Sequence, residues 1–151
     1  MVHCSRDWKS KDAAIYLVTS LATKAKTEKH GITKTNALVN LGDFACQHVL
    51  PELQNPAEVN TMPVLKASAV KYVMTFRSQL APETVKAALP LIANFLKSDS
   101  VVVHTYAAAA VEKFLILKVG GVGSTQALVS AQDLAPHAQL LLQSLFDVLS
   151  R

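Results

Sequence analysis

The feature that most constrains this chain is a segment that repeats itself. Val64-Leu65-Lys66-Ala67-Ser68-Ala69-Val70-Lys71-Tyr72-Val73 lays onto Val102-Val103-His104-Thr105-Tyr106-Ala107-Ala108-Ala109-Ala110-Val111. The copies share branched apolar residues at the start, an alanine at the sixth place and a valine at the tenth. A weaker copy around Trp8–Val18 puts Ala14 in register with Ala69 and Ala107. Small residues recurring inside bulky helices let neighbouring helices approach closely. Recurrence at this period means stacked helix pairs, and such arrays generally bind other proteins instead of doing chemistry.

The spacing predicts six helices. The first runs from Trp8 to Lys26, with Ala14, Leu17, Val18 and Leu21 on its buried side. The second covers residues 41–53 and is expected to kink at Pro51, where one ladder bond is lost. Pro63 opens the third, whose Leu65, Ala69, Tyr72, Val73, Phe76 and Leu80 fall on one face. Pro82 opens the fourth, around an internal Pro90. Asp99-Ser100 caps a fifth over residues 101–118, and Ser130 or Asp133 caps a last one reaching Leu149.

Proline-bearing and alanine-bearing helices alternate. Pro51, Pro90 and Pro136 lie 39 and 46 residues apart; Ala14, Ala69 and Ala107 lie 55 and 38 apart. These intervals suit HEAT repeats, so the expected fold is all-α: a HEAT-repeat α-solenoid of about three helix pairs. Residues 1–151 are read as a single array fragment with a basic inserted loop over 23–40, which accounts for the long interval. The array begins on an alanine-bearing helix and stops after a proline-bearing one. It is therefore read as an internal stretch of a longer array, whose exposed ends are expected to self-associate.

Composition narrows the function. Half the residues are apolar and 17% are charged, which excludes a disordered tail. No run of about 18 uncharged apolar residues exists, so no membrane span is expected. Two cysteines, Cys4 and Cys46, make no disulfide framework, and a reducing cytosolic or nuclear compartment follows. The net charge of +4 is mostly local: Lys24, Lys26, Lys29 and Lys34 face Glu28 alone within residues 22–40, a balance of +3. One basic segment on a nearly neutral body does not describe a nucleic-acid groove.

No catalytic, metal or cofactor site emerges, and no enzyme is expected. The five histidines show no metal spacing. Cys46 and His48 sit two residues apart on a helix, where side chains diverge, so Cys46 is read as a small buried hydrophobe. Gly120-Gly121-Val122-Gly123-Ser124 lacks the lysine and the preceding strand of a phosphate loop. Two features carry functional content. The lysines Lys24, Lys26, Lys29 and Lys34 form either a solvated loop or a binding or gating loop for an acidic protein. Lys66, Val70 and Arg77 form either a solvated flank or a ridge on the inner surface of the array.

Specific strings go further. Asp7-Trp8-Lys9-Ser10-Lys11-Asp12-Ala13-Ala14-Ile15-Tyr16-Leu17-Val18, Lys29-His30-Gly31-Ile32-Thr33, Pro63-Val64-Leu65-Lys66-Ala67 with Lys71-Tyr72-Val73-Met74-Thr75-Phe76-Arg77, and Val102-Val103-His104-Thr105-Tyr106-Ala107-Ala108 resemble the middle of the importin-alpha re-export receptors of the importin-beta superfamily. The resemblance covers nearly the whole chain and departs from the family in the Gly120–Ser130 loop. It implies a HEAT-repeat exportin that carries importin-alpha out of the nucleus with GTP-bound Ran, shuttling between nucleus and cytoplasm. A HEAT scaffold of another complex is the alternative.

Overall fold

Proline costs nothing at the first turn of a helix, where its missing N–H would be unpaired anyway. Two helices of this chain begin that way, α3 (Pro63–Phe76) and α4 (Pro82–Phe95). The computed structural model describes residues 7–27, 33–35, 40–119 and 125–150. Around these two helices stand α1 (Trp8–Ala22), α2 (residues 41–53), α5 (Val101–Leu115) and α6 (residues 131–149). Ser130 caps α6 through a reciprocal capping box with Asp133. Its helix passes through a 3-10 turn, Ala135–His137, at Pro136.

The alternation in the sequence becomes two layers in space. Alanine-bearing α1, α3 and α5 pack side by side with α3 in the middle; proline-bearing α2, α4 and α6 form the second layer. Across the layers α2 pairs with α3 and α4 with α5. This is a HEAT-type α-solenoid. Ala69 and Ala107, on the two neighbouring helices α3 and α5, are fully buried. The predicted face of α3 holds: Leu65, Ala69, Tyr72, Val73, Phe76 and Leu80 are all buried. Around Pro90, Ala88, Leu89, Ile92, Phe95 and Leu96 are buried and Leu91 is half-buried. Tyr72 stacks edge-on against Phe76 at 4.8 Å and donates its hydroxyl to the Leu41 carbonyl at 3.0 Å, tying α3 to the start of α2.

Several expectations are corrected. In α1 the buried residues are Ile15 and Ala22, with Val18 half-buried, while Ala14, Leu17 and Leu21 are exposed. Apolar residues occupy two arcs of this helix, and spacing alone does not say which arc meets α3. The α1 helix also stops at Ala22 instead of Lys26. Thr23 turns to extended backbone, and both its N–H and its hydroxyl go to the Thr19 carbonyl. The chain continues as strand β1 (Thr23–Thr27), paired antiparallel with β2 (Thr33–Thr35), so the inserted segment contains a β-hairpin. In α2, Pro51 is accommodated by a π turn over Ala45–Val49, in which Leu50 N–H reaches back five residues to Ala45. A widened turn is one way for a helix to absorb a broken ladder. Cys46, on that turn, is exposed rather than buried.

Candidate protein-binding site

A lysine in an amphipathic helix ordinarily lies on the solvent side, and burying its charge requires a partner. Lys66 is fully buried, in the first turns of α3. Its ammonium donates to the Glu52 carboxylate at 2.9 Å and to the Glu52 backbone carbonyl at 2.9 Å. Glu58, from the 3-10 turn Pro56–Glu58 between α2 and α3, stands 3.6 Å away. Lys11 of α1 reaches the other oxygen of Glu52 at 2.9 Å. Three helices, α1, α2 and α3, are thus joined through one carboxylate, and the 3-10 turn joins them through the Lys66 ammonium.

Burial alone would raise the Glu52 carboxyl, but the hydrogen bonds from Lys66 and Lys11 prevail and hold it below its ordinary value of 4.5. A carboxyl whose folded pKa is depressed stabilises fully above its unfolded value and loses that contribution as pH falls through the folded one. Asp133 behaves alike: hydrogen bonds from the Ser130 N–H and hydroxyl, and then from Lys86, pull it down to about 2. Thermal melts should therefore hold a plateau above pH 4.5 and fall progressively between there and pH 2. A melting temperature flat across that acid range would contradict the network's role.

The ridge expected from Lys66, Val70 and Arg77 is not a surface. Lys66 and Val70 are fully buried. Arg77 is half-buried at the far end of α3, where its guanidinium donates to the Met74 carbonyl at 2.8 Å. The physical reason is that α3 is flanked by α1, α2 and α5, so its buried arc is far wider than one apolar stripe. The acidic partner was present in the sequence as Pro51-Glu52-Leu53, but its distance from Lys66 was not.

The lysine-rich segment is placed differently. Lys24 and Lys26 lie on β1 and Lys34 on β2, so the hairpin brings three of the four lysines onto one short two-stranded unit. Thr23 pairs with Thr35 and Thr27 with Thr33, with a register shift between them. Lys29 lies outside the described residues, as does the glycine loop at 120–124. That loop leaves from Val119 and returns by Gln126, which are joined by a backbone hydrogen bond of 2.9 Å.

Between α1 and α2 a shallow cleft of about 120 Å3 is lined by Lys11, Ile15, Phe44, Gln47, His48 and Glu52, among others. Ligand pockets usually measure roughly 300–1,000 Å3, so this cleft is too small to be one. Among the described residues no three of His, Cys, Asp and Glu converge as metal donors, and no helix is long and apolar enough to cross a membrane.

Comparison with known proteins gives the lineage. The profile of the Cse1 family matches residues 1–111. The chain is 52% identical to Exportin-2 of Xenopus laevis over 146 residues, covering 97% of this chain and 15% of that protein. It is 50% identical to Exportin-2 of Homo sapiens over the same share of both. The chain thus spans about 15% of the length of these relatives. A solved structure, the exportin Cse1 in its cargo-free, cytoplasmic state, superposes with a TM-score of 0.69 at 32% identity, covering 95% of this chain and 14% of that one. The alternating layers, their repeat spacing and these matches agree: this chain belongs to the Cse1 family.

Proposed function

We propose that this chain is a central stretch of a nuclear export receptor that holds importin-alpha together with GTP-bound Ran and carries importin-alpha from nucleus to cytoplasm. One observation carries the reading: about 50% identity to Exportin-2 along 97% of the chain. The action is binding, with no catalytic step and no cofactor. In this reading residues 1–151 form one array, and the hairpin segment bearing Lys24, Lys26, Lys29 and Lys34 is its partner-facing or gating element. Its cations suit an acidic protein surface. Each exposed ion pair adds only about 0–1 kcal/mol, so the hairpin tunes binding and does not dominate it.

The test is a chimera: human Exportin-2 with the matching stretch exchanged for this chain, carrying all four lysines as serine. Binding to importin-alpha and GTP-bound Ran is titrated at low and high salt. A modest loss of affinity is expected that shrinks as salt rises, because exposed charges are screened beyond about 8–10 Å near physiological ionic strength. Unchanged binding at low salt would make the hairpin a bystander. A large fall in melting temperature would mean that the segment packs against the array.

A further inference from the structure

A buried hydroxyl needs a hydrogen-bond partner, and in the turn between α4 and α5 that partner comes from another repeat. Ser98 is fully buried. Its hydroxyl donates to the Asn60 side-chain oxygen at 2.9 Å and accepts from the Ser100 N–H at 3.1 Å. The same Asn60 oxygen accepts the Asp99 N–H at 3.0 Å, and the Asn60 amide donates to the Asp99 carboxylate at 2.7 Å. Two donors face the oxygen and an acceptor faces the nitrogen, so the orientation of the amide is fixed by its neighbours. His104 of α5 meets the Ser98 carbonyl through Nδ1 at 3.0 Å, which ties the turn to its own helix.

Asn60 stands in the turn between α2 and α3, and that turn is itself held. The Thr61 and Met62 N–H groups both reach the Glu58 carbonyl, at 3.2 and 3.0 Å. The Glu58 carboxylate faces the buried Lys66 ammonium at 3.6 Å. Asn60 and Asp99 are 39 residues apart, the same interval as Pro51 and Pro90, so the amide links the same turn of successive repeats. In the first layer α3 and α5 pack directly on each other; in the second, α2 meets α4 through Leu50–Leu53. Opening the second layer about the α3–α5 contact would draw the two turns apart, and the Asn60 amide spans that gap.

We infer that Asn60 is a positioning residue that clamps two successive repeats, α2–α3 and α4–α5, at one fixed pitch. Clamped in this way, α3 and α5 present their surface already ordered, which avoids the cost of fixing it on contact with a partner. The clamp joins two interior turns of the chain and is independent of the transport reading.

A distance measurement between α2 and α4 tests it. The 151-residue chain carrying Cys4→Ser and Ala87→Cys takes spin labels at position 87 of α4 and at Cys46 of α2, both exposed. Electron paramagnetic resonance should give one narrow distance distribution. Asn60→Asp sets a second carboxylate against Asp99, and Asn60→Ala removes the amide. Either should broaden the distribution and move it to longer distances, with an unchanged circular dichroism spectrum. Asp99→Asn alone should keep it narrow, because an amide oxygen still accepts from Asn60. Asn60→Asp combined with Asp99→Asn reverses the polarity of the bond and should restore the narrow distribution. A broad distribution in the labelled parent would overturn the inference. So would an unchanged one in Asn60→Asp and Asn60→Ala, or a double variant as broad as Asn60→Asp alone.

Discussion

Replacing Lys66 by alanine is expected to destabilise the array by about 3–5 kcal/mol, the usual consequence of stripping one partner from a buried ion pair. The variant leaves the Glu52 carboxylate, itself nearly enclosed, with only the Lys11 ammonium, whose side chain is half in solvent. It also removes a donor to the Glu52 backbone carbonyl. Urea denaturation should show a much lower midpoint at an unchanged slope. The pair as a whole is a different matter, because desolvating two charges offsets most of their attraction. Lys66→Met combined with Glu52→Leu should therefore recover most of the loss. If Lys66→Ala costs less than about 1 kcal/mol, as exposed ion pairs do, the ammonium reaches solvent and the buried network is wrong.

The second large effect comes from enlarging the small residues of the first layer. Ala69 and Ala107 have no accessible surface, and their helices, α3 and α5, pack directly on each other. Extra methylenes in a filled core typically cost about 1–3 kcal/mol. Ala69→Leu with Ala107→Leu should then lose about 2–6 kcal/mol, with departures from additivity if the sites share a neighbour. Ala13→Leu, on the exposed side of α1, supplies the control and should stay within about 0.5 kcal/mol. Equal tolerance at all three positions would mean that the recurring alanines do not set the helix spacing.

The alanine layer shows where sequence was a good guide, and Lys66 where it was not. The face of α3 was legible because its apolar residues recur at helical period, and Pro63 and Pro82 mark where α3 and α4 begin. The alternation of proline and alanine helices translated directly into layers. In α1 two arcs are apolar, so Leu17 and Leu21 were placed inside when Ile15 and Ala22 are the buried residues. The hairpin was hidden because Thr-Lys-Ala-Lys-Thr is short and continues the polar pattern of a helix end; the helix ends where Thr23 turns to extended backbone. Lys66 was misplaced for a tertiary reason. A helix flanked on three sides buries positions that an amphipathic wheel assigns to solvent, and the carboxylate that neutralises this one comes from another element.

Nucleotide dependence tests the functional account most directly. Human Exportin-2 carrying this chain in place of its matching stretch is titrated with importin-alpha in the presence of Ran loaded with GTP or with GDP. The account predicts tight capture of importin-alpha with the GTP form and weak capture with the GDP form, with reciprocal strengthening of Ran binding by importin-alpha, as linkage requires. Capture that ignores the nucleotide, in a chimera that folds and melts like the parent, would contradict it and leave a HEAT scaffold with other partners.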